Sequence, residues 1–155
     1  MAEGDNKVIS LSSSYRHKVD AKGRMFLPAK FREELSLDLV VAFDLDYSCL
    51  CVWEPADHNA WIDQLFVDKF GGYNSADPDQ RAMYEQLYED TKDVRRDEMG
   101  RILLDAEQRA DVGIDKSSEV VVVGCGKYFQ IWDAQRYAQK KAAARALVKS
   151  AFGRP

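Results

Sequence analysis

The sequence predicts an α+β fold in which two copies of one small unit pack together as a single pseudo-symmetric core, and three observations carry that reading. Residues 15–32 combine a sharp turn, a helix start and the densest positive charge in the chain. A weaker copy, Asp97-x-x-Gly100-Arg101 followed by Ile102-Leu103-Leu104, recurs about 77 residues after Asp20-x-x-Gly23-Arg24. Farther on, Leu50-Cys51-Val52-Trp53 matches Phe129-Gln130-Ile131-Trp132. A unit of about 45 residues buries too little surface to stand alone, so the copies are expected to share one core.

Taken in order, residues 1–9 read as a flexible N-terminal lead before a first strand near residues 8–15. The first repeat spans 10–57. Within it residues 15–19 are extended, Gly23 supplies a positive φ for a local hairpin with Asp20 bonding across it, and 25–27 return as the second strand. Pro28 suits the first position of a short helix, with Phe31 and Leu35 on one face, ending near Leu37. Residues 39–43 and 49–53 are buried strands around a polar turn. A helical linker, 58–90, follows. Its first helix, starting at Pro55, carries Trp61, Ile62, Leu65 and Phe66 and stops at Gly71-Gly72; its second is capped by Asp77-Pro78 and bears Met83, Tyr84, Leu87 and Tyr88 as one stripe. The second repeat, 91–135, has Asp105 as helix cap and a β-branched run, 120–123, that reads as a strand buried on both faces. Asp133 caps a basic C-terminal helix and tail, 136–155, whose cations are either a solvated face or a phosphate or membrane-surface contact.

Composition narrows the function. The chain has 155 residues, 46% hydrophobic and 31% charged, as in an ordinary globular protein. No apolar run approaches the ~20 residues needed to cross a bilayer, and the polar, acidic start does not read as a secretory leader. Cys49, Cys51 and Cys125 form no disulfide or zinc pattern, so free thiols and a cytoplasmic setting are expected. His17 and His58 sit in no metal-ligand or nucleophile motif, and Gly124-Cys125-Gly126 lacks a phosphate-loop pattern, so no enzyme, cofactor, metal or small-molecule substrate is expected. Trp53 and Trp132 read as core anchors.

A net charge of −4 argues against nucleic acid until its distribution is considered. Between residues 15 and 32, Arg16, Lys18, Lys22, Arg24, Lys30 and Arg32 face Asp20 alone, about +5 locally. On one reading, Gly23 merely shapes the turn while Asp20 and Arg24 pair across it. On the other, Lys22 and Arg24 project from a two-stranded ribbon that enters the DNA major groove, where arginine donates to guanine. Arg16, Lys18, Lys30 and Arg32 then suit phosphates, with an internal salt bridge an equal alternative for Arg32. In the equivalent window, 92–109, cations and anions balance and Met99 replaces Lys22. The first repeat is therefore expected to read DNA and the second to support folding and subunit contacts. Arg101 is divided between a phosphate and Asp97. Asp97 and Gly100 are the turn residues there.

The motif Tyr-Arg-His-x-x-Asp-Ala-Lys-Gly-Arg-x-x-Leu-Pro-Ala-Lys-Phe-Arg, at Tyr15 to Arg32, resembles the MraZ family of bacterial transcriptional regulators. The likeness extends over residues 11–140, including the second Asp-x-x-Gly-Arg turn and the closing Val120-Val121-Val122-Val123-Gly124 and Phe129-Gln130-Ile131-Trp132. Leu11 and Ser13 stand where the family has Phe and Gly, an extra segment precedes them, and Asp105 replaces a proline. The resemblance implies two fused swapped-hairpin AbrB-like (SpoVT-AbrB) repeats in a β-barrel-like core with peripheral helices. It also implies double-stranded DNA as partner, repression of a division and cell-wall gene cluster at direct promoter repeats, a nucleoid location and a ring-like homo-oligomer. The competing reading is an AbrB-like antitoxin or protein-interaction module; such proteins carry one repeat and dimerise, whereas both halves are present here.

Overall fold

The computed structural model describes residues 8–155; the expected N-terminal lead lies mostly outside them. The elements run β1 (Ser14–Lys18), β2 (Arg24–Phe26), α1 (Ala29–Glu34), β3 (Asp38–Phe43), β4 (Leu50–Trp53), α2 (Pro55–Phe70), α3 (Pro78–Glu89), β5 (Lys92–Arg95), β6 (Arg101–Leu103), α4 (Ala106–Asp111), β7 (Glu119–Gly124), β8 (Tyr128–Asp133) and α5 (Ala134–Phe152). The order strand-turn-strand-helix-strand-strand thus occurs twice, on either side of α2 and α3.

β3 with β4 and β7 with β8 are local hairpins, but the strands flanking the two Asp-x-x-Gly turns do not pair with each other. Instead β1 lies antiparallel to β7, and β2 to β6, so the two strands flanking the Asp20–Gly23 turn belong to different sheets. The expected β1–β2 ladder is overturned here. Six strands form one sheet in the order β1-β7-β8-β4-β3-β5, and β2-β6 form a separate ribbon. Exchanging the halves turns the six-strand order into its own reverse and maps the pair Arg24↔Leu103 onto Phe26↔Arg101. Each half leaves edges that only the other half's strands satisfy, so neither is a complete unit. The hydrogen bonding of the described strands closes no barrel, which corrects the barrel-like expectation. The first strand also starts later than expected: among the described residues before Ser14, only Leu11 makes a bridge, to Gly126. Gly124 permits this crossing, because a Cβ there would meet the carbonyl carbon of Leu11 at 2.6 Å.

Strand alternation sorts the sheet's two faces. Leu39, Val41, Leu50, Val52, Val120, Val122, Phe129 and Ile131 point to the inner face, against Met25 and Ile102 of the ribbon and Phe31 of α1. Phe31 is fully buried between Tyr15 and Phe129, each with its ring 5.4 Å away. Truncating such a residue to alanine costs about 3–5 kcal/mol. The outer face carries Val40, Cys49, Cys51, Trp53 and Trp132 under Trp61 of α2 and Tyr137 of α5. Both tryptophans are core anchors, as expected, and the run 120–122 is buried on both faces.

The caps follow the sequence closely. Asp77 accepts from the Asp79 and Gln80 N–H groups, Asp105 from Glu107 and Gln108, and Asp133 from Arg136. Each satisfies helix-end donors that otherwise lack partners, worth about 1 kcal/mol apiece. Pro28 stands one residue before α1, which ends at Glu34, short of the expected Leu37. Gly71, at φ 81°, terminates α2. α3 packs on α2 through aromatic rings, Tyr84 against Phe66 and Tyr88 against His58, leaving Met83 exposed. No described helix is long and apolar enough to cross a membrane.

Candidate nucleic-acid interface

The ribbon is three residues per strand. Its middle pair, Met25 and Ile102, is buried, so period-2 alternation turns Arg24, Phe26, Arg101 and Leu103 outward. One exposed face thus carries an arginine and an apolar side chain from each half. Arg101 Cζ lies 5.8 Å from the centre of the Phe26 ring, within cation–π range.

The turns leading into the two strands are built alike. In the first, the Asp20 carboxylate accepts from the Lys22 and Arg24 backbone N–H groups and from Arg24 Nε at 3.0 Å. In the second, Asp97 accepts from Met99 and Arg101 N–H and from Arg101 Nε at 2.7 Å. Both carboxyls are held below their ordinary value, chiefly by the backbone bond from Arg24 or Arg101, so both are charged near neutrality. Asp20 and Arg24 do pair across the turn. Because Nε makes that bond, the carboxylate also fixes the direction of the guanidinium fork, so pairing and display coexist.

The glycines complete the turns. Gly23 and Gly100 have φ of 85° and 82°, a region costly to any residue with a Cβ. Their carbonyls accept from the N–H of Leu104 and Leu27 respectively, tying each turn to the other half's strand. Arg32 crosses over Gly100 and donates from Nη1 to the Met99 carbonyl at 3.3 Å. Arg109, buried, crosses over Gly23 and donates from Nε to the Leu104 carbonyl. The structure therefore places Arg32 half-buried against the second turn, bonded to a carbonyl; among the described residues it joins no ion pair. Partial burial of His17, and then the nearby Arg32 charge, lower the pKa of that imidazole.

The remaining cations of the basic stretch separate. Lys22 is exposed at the tip of the first turn, and Lys30 is exposed on α1. On β1, Tyr15 packs into the inner core, so Arg16 and Lys18 cannot share the ribbon's side of the sheet. Arg16 lies on the outer face, beside Val121 and α5, paired with Glu119. Six cations close in sequence are split by the sheet.

Sequence reasoning misses Phe26 and Leu103, 44% and 57% exposed; the signal is there as Arg-x-Phe and Arg-x-Leu flanking a buried middle residue. It also leaves the cysteines without a pattern, whereas Cys49 and Cys51 share a face of β4 and Cys125 neighbours Cys51. Burial pushes the Cys125 thiol up to about 11, so it is a poor nucleophile near neutrality. No group of His, Cys, Asp and Glu among the described residues is arranged to hold a metal.

A family model described as "MraZ protein, putative antitoxin-like" matches residues 11–83 and again 87–151. The chain is similar to a transcriptional regulator MraZ of Corynebacterium diphtheriae, 36% identical over 90% of this chain and 92% of that protein. A transcriptional regulator MraZ of Thermomicrobium roseum is 35% identical over 80% of this chain and 82% of its own length. Among solved structures, the solution structure of PHS018 from Pyrococcus horikoshii covers 78% of this chain and 94% of that one at 16% identity, with a TM-score of 0.34, too low to bear on the fold.

Proposed function

The chain belongs to the MraZ family, and on that premise we propose that it is a sequence-specific DNA-binding transcriptional regulator whose β2–β6 ribbon enters the major groove. The observation that carries the proposal is the outward face of that ribbon, where Arg24 and Arg101 stand on facing strands, each aimed by its own carboxylate. A two-stranded ribbon fits the width of the major groove, and an oriented guanidinium donates to guanine O6 and N7. Phe26 and Leu103 beside them suit thymine methyl groups. Lys22 and Lys30 contact flanking phosphates, which position the ribbon without reading sequence.

In this reading the two halves are swapped-hairpin AbrB-like repeats, and each molecule contributes one ribbon. One ribbon makes few phosphate contacts, so several are linked in a ring-like homo-oligomer that engages direct repeats together, raising the effective concentration of each. The regulated region is the promoter of its own division and cell-wall gene cluster, which it represses as a nucleoid-associated cytoplasmic protein. Footprinting on the DNA upstream of its own gene tests this. Protection at regularly spaced repeats, abolished in an Arg24→Ala/Arg101→Ala variant of unchanged melting temperature, is expected; protection unaffected by that variant would remove the ribbon from DNA reading.

A further inference from the structure

Helix α5 is the most one-sided charge in the molecule. Between Ala134 and Phe152 it carries Arg136, Lys140, Lys141, Arg145 and Lys149 and no acid. Among the described residues none of these cations is in an ion pair. Where α5 lies on the outer face of the sheet it leaves an open groove of about 510 Å³, with Arg16, Tyr137, Lys141 and Arg145 around it and Ser14 and Val121 on its floor. Lys141 and Arg145 also border the adjoining depression, beside Lys140. Glu119 is the acid that faces the groove, through its pair with Arg16. An incoming phosphate competes with that single carboxylate for an exposed arginine.

We infer that this groove is a second nucleic-acid contact, which takes the phosphate backbone of a DNA duplex without reading its sequence, on the opposite side of the sheet from the ribbon. Lys141 and Arg145 are one helical turn apart, about 6 Å along the axis. That spacing lets the two cations reach neighbouring phosphates of one DNA strand. The groove is concave and adds Arg16 of the sheet to the cations of α5, a shape that suits a rounded duplex better than a flat bilayer. The choice of DNA as the anion rests on the function proposed above. Because the sheet stands between groove and ribbon, a straight duplex on one leaves the other free, and one molecule is built to hold two segments.

The test uses the full chain and a short duplex of random sequence, which the ribbon has no reason to prefer. Lys141→Ala/Arg145→Ala is expected to lower the slope of log affinity against log salt by about two units on that duplex, one for each phosphate no longer neutralised. Both changes raise helix propensity, so the melting temperature should hold. Arg24→Ala/Arg101→Ala should keep the random-duplex binding but no longer tether a labelled random duplex to an immobilised operator duplex, a bridge that the unmodified protein makes. An unchanged slope in Lys141→Ala/Arg145→Ala would overturn the inference. So would binding of vesicles rich in anionic lipid through the same two residues with random duplex unaffected. Disappearance of the operator footprint in the ribbon variant reports on the ribbon alone, so the two proposals fail separately.

Discussion

Arg32 lies across Gly100 so closely that a Cβ at that glycine would stand 2.6 Å from Arg32 Cδ. The arginine comes from the first half of the chain and the glycine from the second. The reciprocal pair, Arg109 over Gly23, is looser, with the nearest atom at 3.2 Å. The two turns that present the ribbon are therefore each held down by a side chain from the opposite half.

Gly100→Ala is expected to destabilise the fold more than Gly23→Ala. Both suffer the positive φ, about 1–2 kcal/mol, and only Gly100 also displaces the Arg32 side chain from its bond to the Met99 carbonyl. Gly126→Ala, at φ 87° with open space, isolates the backbone cost. Denaturant unfolding of the three variants gives the comparison, and Arg32→Ala in the Gly100→Ala background should recover part of the stability. Equal destabilisation in all three would leave no role for the Arg32 contact.

Arg24→Ala and Arg101→Ala should weaken operator binding by similar amounts, about 1–3 kcal/mol for each arginine–base pairing removed. The structure puts the two side chains on one face of one ribbon, where a duplex that meets one meets the other. Removing each ion pair to aspartate should change folding stability little, since these pairs are solvated. Titrations by fluorescence anisotropy, with melting curves on the same samples, separate the two effects. Weakening confined to Arg24→Ala would restore the division of labour that the charge windows suggest.

Lys22→Met is expected to lower the salt slope of operator binding by about one unit per ribbon engaged, and Met99→Lys to raise it by a like amount. Lys22 and Met99 occupy equivalent exposed positions at the two turn tips. Assembly size, read by light scattering, should stay constant for Lys22→Met. If Met99 makes a subunit contact, Met99→Lys shrinks the assembly and the slope falls with it.

Acid should loosen the turns. The folded-state pKa values of Asp20 and Asp97 lie below the ordinary 3.8, so their contribution is complete above that pH. It is lost as the pH falls through the lowered values. Melting temperatures taken from neutrality down to about pH 3 should therefore drop further for the unmodified protein than for Asp20→Asn/Asp97→Asn. Parallel declines would place the acid sensitivity in other carboxylates.

Much of the local structure was legible in the residues. Asp77, Asp105 and Asp133 are caps because a short side chain with an acceptor oxygen meets the first free N–H groups of a helix, a relation that spans three residues. Gly23, Gly71 and Gly100 mark turns for an equally local reason. The β-branched run 120–123 marks a strand buried on both faces, which holds for 120–122, and the recurrence of Asp-x-x-Gly-Arg marks a unit that occurs twice. The family, too, was recognisable from the first turn and helix.

The residues alone mark the helix caps and the turns, and show that Arg24 and Arg101 stand at equivalent places. Which side chains surround those arginines follows from how the strands pair. A strand's side-chain pattern fixes which face is apolar but says nothing of which neighbour supplies its hydrogen bonds, so β2 could as well have paired with β1 as with β6. Pairing across the halves brings both arginines onto one ribbon. The same alternation, applied to a β1 laid on β7, carries Arg16 through the sheet to α5. Charge counted along the chain is blind to that, because two residues a few positions apart in sequence are separated by a full layer of packed side chains once the sheet lies between them.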